Sequence, residues 1–342
     1  MIQTRLSAKK LVSRYCFSFF LLVSFTSVSA QETKPEIGTI EAVSSEFSKL
    51  IKKDAKVEVV AEGFQFTEGA LWLEREQMLL VSDIPANTIY KWTAAKGKEV
   101  YLKPAGYTDT AKRGGFLGSN AMRLSRDGKL LICQHGDRRI AMMDAPVDAP
   151  KPNFVTVAGA YNGKRLNSPN DLFVTAAGDI YFTDPSYGFE RGNRDPRKEL
   201  SYQGVYRVDR SGNIALLVDS IEQPNGIGVL PDGKTLLVAN SDNRKKRWYA
   251  YDIAPDGSLQ NARLFYDASN EKGVGGCDSF KIDKNGNVFA AGPGGLWIFS
   301  KAGKLLGRIK VDGRSVTNCA LTPDGKTIFI TAETYLLRVK MQ

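Results

Sequence analysis

Polar turns alternate with apolar strands along most of the chain. Arg126-Asp127-Gly128-Lys129 precedes LLICQ, Ala177-Gly178 precedes DIYFTD, and Pro231-Asp232-Gly233-Lys234 precedes TLLVAN. Asn285-Gly286 precedes NVFAA, Pro323-Asp324-Gly325-Lys326 precedes TIFIT, and a glycine-free copy, Glu74-Arg75-Glu76-Gln77, precedes MLLVSD. Short turns of this kind between β-rich runs mark hairpins. Successive turn glycines lie 50, 55, 53 and 39 residues apart. A short strand, usually with an aromatic, trails each hairpin on the same beat, as IYKW at 89–92, IAMMD at 140–144, VYRVD at 205–209, WYAYDI at 248–253, LWIFS at 296–300 and YLLRVK at 335–340.

Six units of this length, each with several strands, predict an all-β, six-bladed β-propeller over residues 57–342. A flat solenoid would need capping repeats, and the sequence offers none. Closing the ring instead removes the exposed sheet edges. The strand Val57–Val60 stands before the first unit and is expected to complete the last blade. Residues 31–56 read as an N-terminal extension. Within it Phe47, Leu50 and Ile51 recur at helical spacing, which predicts one short helix packed outside the ring.

Residues 1–30 read differently. Arg5, Lys9, Lys10 and Arg14 give a basic start, Phe17–Phe25 an apolar run too short to span a bilayer, and Val28-Ser29-Ala30 a small-residue cleavage pattern. A signal peptide cleaved after Ala30 is expected, with the mature chain periplasmic or secreted and not stably inserted in a membrane. Removing its four basic residues lowers the formal charge from +10 to +6. One basic cluster remains, Arg244-Lys245-Lys246-Arg247, and it is not the stripe a nucleic-acid partner requires. Beyond residue 30 the cysteines are Cys133, Cys277 and Cys319, too few and too far apart for a disulfide framework or a zinc cluster; pairing of Cys277 with Cys319 stays open. The sole histidine, His135, leaves little room for histidine-based chemistry.

The repeat phase points to one end of the axis. Eight residues before each turn glycine stand Asn120, Asn170, Asn225, Asp278 and Thr317; Glu68 stands nine before Gln77 in the glycine-free copy. In a propeller the first strand of each blade lines the central channel, so residues of one phase converge at one height. Two carboxylates and several amide oxygens aimed at one point form an all-oxygen site suited to a hard divalent cation.

The segments FTEGALW (66–72), LNSPNDLFVTAAGDIYFTDPSYG (166–188), QPNGIGVLPDGKTLLVAN (223–240) and CDSFKIDKNGNVFAAGPGGLWIF (277–299) resemble the senescence marker protein/gluconolactonase/regucalcin family. The resemblance runs from about Glu62 to Val339, one motif per blade in order. The stretches QHGDRR and GKRLNSPND bring it nearest the bacterial gluconolactonases. It implies a six-bladed propeller with one divalent ion on the axis, Ca²⁺ or Zn²⁺ first, Mg²⁺ or Mn²⁺ as further candidates. The family's metal ligands fall on Glu68, Asn225 and Asp278, with Asn170 contacting metal or substrate, and its catalytic acid/base falls on Asp278. Regucalcin-like members carry a sugar-holding Arg just before the third-blade Asn; here Ser168 and Pro169 stand there, with Arg165 nearby.

The axial site and the resemblance together predict a hydrolase acting on a small sugar lactone, glucono-1,5-lactone or a related aldonolactone. Asn120 would bind sugar hydroxyls, and His135 would be a substrate donor, a second base or a structural residue. The Gly-rich, charged loops 105–119 and 189–203 would roof the site or lie solvated beside it. Asp83, Asp184 and Asn240, at the ends of returning strands, would rim the pocket or cap turns. Another esterase or lactonase on the same scaffold, or a non-catalytic ligand-binding propeller, are the alternative functions.

Overall fold

The computed structural model describes residue 1 and residues 36–342. The segment expected to be a signal peptide, with its cleavage site, lies outside the described residues apart from Met1. No helix among the described residues is long and apolar enough to cross a membrane.

The second strand of a typical blade is apolar at nearly every position, as in MLLVSD, TLLVAN and TIFITA, because it is covered on both faces. Every residue of Met78–Asp83, Thr235–Asn240 and Thr327–Ala332 is buried. A strand buried on one face would alternate instead. Among the described residues six antiparallel blade sheets result, each ordered from the inside outward, with a separate two-stranded ribbon at Ala160–Tyr161 and Lys164–Arg165. Blade 1 contains Thr67–Leu73, Met78–Asp83, Thr88–Thr93 and Gly97–Leu102; blade 2 contains Ser119–Leu124, Leu130–Gln134, Arg139–Met143 and Phe154–Ala158. Blade 3 contains Leu172–Val174, Ile180–Asp184, Gly204–Val208 and Ile214–Val218; blade 4 contains Pro224–Val229, Thr235–Asn240, Arg247–Ile253 and Leu259–Asp267.

The ring closes through the N-terminal strands. Glu58–Glu62 pairs antiparallel with Tyr335–Lys340 and completes blade 6, whose other strands are Val316–Leu321 and Thr327–Ala332. Arg338 and Glu58 form an ion pair across this join. The segment read as an extension adds a further strand: Thr39–Ala42 pairs with Leu305–Lys310 as a fifth, outermost strand of blade 5, outside Phe280–Ile282, Val288–Gly292 and Gly295–Phe299. Between the two N-terminal strands, Phe47–Lys49 form a single 3-10 turn. Phe47 and Ile51 are fully buried there against blade 5 and 6 residues such as Ile298, Leu306 and Ile328.

The core is divided among the seams between blades. Leu80 and Ile132 meet between blades 1 and 2, Cys133 and Phe182 between 2 and 3, Tyr181 and Leu236 between 3 and 4. Trp248 and Trp297 meet between 4 and 5, Phe289 and Ile330 between 5 and 6, Phe329 and Leu79 between 6 and 1. Each fully buried side chain of this size contributes roughly 1.5–3 kcal/mol. Cys133, Cys277 and Cys319 are buried free thiols, so the Cys277–Cys319 bridge left open by the sequence is not formed.

Candidate active site

Each inner strand enters the channel irregularly. Pairing with the second strand slips between Glu68 and Leu71, between Ser119 and Met122, and between Pro224 and Ile227. In blades 3 and 5 regular pairing starts at Leu172 and Phe280, two residues after Asn170 and Asp278. A bulge or a late strand start re-aims a side chain that a regular ladder would turn into a seam. Gly69 shows how tight the first bulge is. Its φ is +60°, and a Cβ there would stand 2.1 Å from the Asn120 carbonyl oxygen. Its N–H donates to Glu68 Oε2 at 3.0 Å.

Hydroxyls stitch these strands together around the ring. Ser82 Oγ donates to the Asn120 carbonyl at 2.7 Å, Thr183 Oγ1 to the Asn225 carbonyl at 2.7 Å, and Ser241 Oγ to the Cys277 carbonyl. Each bond runs from a blade to the backbone of a site residue, or its neighbour, in the next blade.

One cavity of about 490 Å³ collects the residues selected by repeat phase. Glu68, Asn120, Asn170, Asn225 and Asp278 all line it, together with His135. Glu68 is buried, and burial pushes its carboxyl up to about 7 despite hydrogen bonds from Asn318 and Gly69. Burial and then the nearby charge of Glu68 hold Asp278 well above the ordinary carboxylate range. The three amides are held by their nitrogens or backbones, and Asn120 Oδ1, Asn170 Oδ1 and Asn225 Oδ1 are buried with no hydrogen-bond partner. Asn225 Nδ2, for instance, donates to Ser241 Oγ at 2.9 Å. Buried amide oxygens normally find a partner, so three orphans facing one cavity are unusual.

His135 has a defined state. Its Nδ1 lies 3.1 Å from the Phe116 carbonyl, which can only accept, so Nδ1 carries the hydrogen. Nε2 then offers its lone pair toward Asn120 Nδ2 at 3.4 Å, which turns Asn120 Oδ1 to the cavity. Burial lowers its pKa to about 4, so the ring is neutral and a weak base at pH 7. It orients Asn120 more than it handles protons.

Several positions were read less well from sequence. Thr317 shares the repeat phase, yet its hydroxyl donates to the Thr67 carbonyl at 2.8 Å and does not line the cavity. Its neighbour Asn318 meets the site instead, donating from Nδ2 to Glu68 Oε2 at 3.1 Å. Asp83, Asp184 and Asn240 cap the loops that lead into the inner strands: they accept from the backbone N–H of Gln65 and Phe66, of Asn167, and of Gln223. Cys277 packs as a small buried residue, and burial pushes its thiol far up. Arg165 is occupied elsewhere, donating to the Asp137 carbonyl. Loop 105–119 reaches the cavity through Phe116, whereas loop 189–203 supplies none of its lining residues. Tyr187, Ser241, Asn243 and Lys246 also line it and carry no repeat signal. Tyr187 is half-buried, its hydroxyl is enclosed without a partner, and burial raises its pKa, so it stays a neutral donor.

Among the described residues no three His, Cys, Asp or Glu side chains surround one point. The site has two carboxylates and supplements them with amide oxygens. A buried Glu68 and a partly buried Asp278 that resist ionising together, beside Asn170 Oδ1 and Asn225 Oδ1 without partners, fit a hard divalent cation; with no nitrogen or sulfur donor among these four, Ca²⁺ or Mg²⁺ suits them better than Zn²⁺.

A closed six-bladed propeller with an oxygen-lined pocket at one mouth of its axis defines the class of protein. Residues 66–334 match the SMP-30/Gluconolactonase/LRE-like region, and the chain belongs to that family. A gluconolactonase of Zymomonas mobilis is 36% identical over 311 residues, covering 89% of this chain and 86% of that protein. The solved structure of a gluconolactonase from Xanthomonas campestris matches with a TM-score of 0.76 at 26% identity, over 92% of this chain and 99% of its own. The calcium-binding regucalcin of Agrobacterium tumefaciens shares the fold, with a TM-score of 0.64 at 18% identity, over 83% of this chain and 93% of its own.

Proposed function

We propose that the protein is a lactonase that opens glucono-1,5-lactone or a related aldonolactone to the free acid, using one divalent cation held by Glu68, Asn170, Asn225 and Asp278. The observation that carries this reading is the meeting of the carboxylate pair with orphaned amide oxygens in one cavity. Relatives named gluconolactonase and lactonase support the hydrolase class. A bound divalent cation supplies Lewis acidity toward the lactone carbonyl. Asp278 accepts the proton of the attacking water and returns one to the departing ring oxygen. Asn120, turned by His135, accepts from sugar hydroxyls, and the Tyr187 hydroxyl donates to the substrate. Phe116 shields the bound ring from bulk water.

A pH-indicator assay of glucono-1,5-lactone opening tests this, using chelated protein with Ca²⁺, Zn²⁺, Mg²⁺ or Mn²⁺ restored singly, beside Asp278→Ala. Activity restored by a metal and absent from the variant is expected. No gain over spontaneous opening with any ion, across a panel of lactones, would sink the reading. The leader-like residues 1–30 support export to the periplasm or beyond. Intact mass of the exported protein should then place its first residue at Gln31; an unprocessed cytosolic chain would refute export.

A further inference from the structure

The basic run at 244–247 lies at the start of the third strand of blade 4, beside the site. Three of its four members are occupied. Arg244 pairs with Asp242 at 3.1 Å, Lys245 with Glu222, and Arg247 with Asp267 at 2.9 Å. Lys246 makes no ion pair among the described residues. Its amine has one long hydrogen bond, 3.3 Å to the Glu271 carbonyl, and its side chain lines the cavity with Asp278 and Asn225. Among the described residues no other Lys or Arg lines that cavity, and His135 is neutral. The neighbouring wall includes Gly273, Gly275 and Gly276, which carry no side chains.

The charge balance gives this lysine a task. Glu68 and Asp278 match one divalent cation, which leaves the cavity with a single surplus positive charge at Lys246. A neutral sugar ring is served by amides and hydroxyls, whereas an unpaired ammonium gains most from an anion, through a charge-assisted hydrogen bond. Resting on the lactonase reading, we propose that Lys246 is a specificity residue that selects lactones bearing an anionic group, carboxylate or phosphate, at the end away from the ring ester.

The test is calorimetric titration of the Ca²⁺-loaded protein with three acids that correspond to ring-opened products: gluconate, glucarate and 6-phosphogluconate. Wild type should bind at least one doubly acidic ligand about tenfold more tightly than gluconate, and the two arms distinguish carboxylate from phosphate. Lys246→Met should erase the difference, and Lys246→Arg should restore it. Equal binding of all three acids by wild type, no binding of any, or discrimination that survives in Lys246→Met would each overturn the proposal. Turnover of glucono-1,5-lactone is followed in parallel. Its absence counts against the lactonase reading, and the binding pattern is judged separately.

Discussion

The two mouths of the propeller axis are built from the same six inner strands and carry opposite chemistry. At one mouth Glu68, Asn120, Asn170, Asn225 and Asp278 face a cavity with oxygens left over. A few residues further along those strands, Trp72, Phe173, Ile227 and Phe280 line a second cavity of about 450 Å³ with Arg123, Lys281 and Lys284. Its one carboxylate, Asp283, is spent on its own turn: Oδ1 accepts from the N–H groups of Asn285 and Asn287, both at 2.8 Å, and Oδ2 from Asn287 Nδ2 at 2.7 Å. Regular pairing starts or resumes after the site residues, and apolar side chains are frequent beyond them. A functional mouth is thus recognisable by acceptors without partners, and polarity alone would not separate the two ends.

Removing one acceptor should give the largest effect. Glu68→Gln keeps the volume and removes a charge, and lactone kcat/KM should fall about a thousandfold. Chelated Glu68→Gln should unfold at the same denaturant midpoint as wild type or higher, because a buried carboxylate no longer opposes the Asp278 carboxylate beside it. Lys284→Gln at the far mouth should leave kcat/KM within about twofold. Equal losses from both substitutions would erase the functional difference between the ends.

Next in size is a backbone effect. Gly69→Ala forces a Cβ against the Asn120 carbonyl in left-handed backbone, where neither partner can yield. Chemical denaturation should show a loss on the order of 3 kcal/mol, with lactone turnover lost as Glu68 shifts. Gly228→Ala, at the far mouth, meets only the Phe280 ring at 3.0 Å and Ile282 Cδ1 at 3.3 Å, side chains that can move. It should cost about 1 kcal/mol or less.

The site end should also respond to pH through His135. Its folded pKa lies below the unfolded value, so its contribution to stability is complete above about 6.5 and is lost as pH falls through about 4. A difference of at most about 3 kcal/mol between wild type and His135→Asn should close between those limits. Measuring both proteins in chelator cancels the opposite trend of Glu68 and Asp278, whose raised values favour the acid side. Parallel stability profiles for the two proteins would show that the ring does not titrate in this window.

Much of this was legible from spacing. The glycine turns gave the blades, and counting back from them found Asn120, Asn170, Asn225 and Asp278, because hairpin geometry fixes the distance from turn to channel mouth. The count failed at Thr317, where the pairing slip between Val316 and Asn318 is shorter and the next residue faces Glu68. Tyr187, Phe116 and Lys246 lie in connecting segments, whose paths depend on contacts that no period encodes. The strand Thr39–Ala42 was missed for a related reason: four residues without a turn on the repeat beat gave no signal, and blade 5 supplies the pairing.

The smallest predicted effects concern the link between the two mouths. Lys281 Nζ donates to Asn318 Oδ1 at 2.7 Å, the N–H of Cys319 donates to the same oxygen at 2.8 Å, and Asn318 Nδ2 therefore points at Glu68 Oε2. With the Gly69 N–H on that same oxygen, Glu68 has Oε1 left to offer a cation. Asn318→Ala removes one of the two donors that fix this arrangement, and calorimetry should show cation affinity about tenfold weaker in a folded protein. Lys281→Met should weaken it less, about threefold, because the Cys319 N–H still holds the amide in register. Arg123→Gln, whose guanidinium donates to the Met122 carbonyl of its own strand, should stay within about twofold of wild type. The ranking is the test: an Arg123 variant as impaired as the Asn318 variant would mean that the bulk positive charge of the far mouth, and not the hydrogen-bonded amide, tunes Glu68.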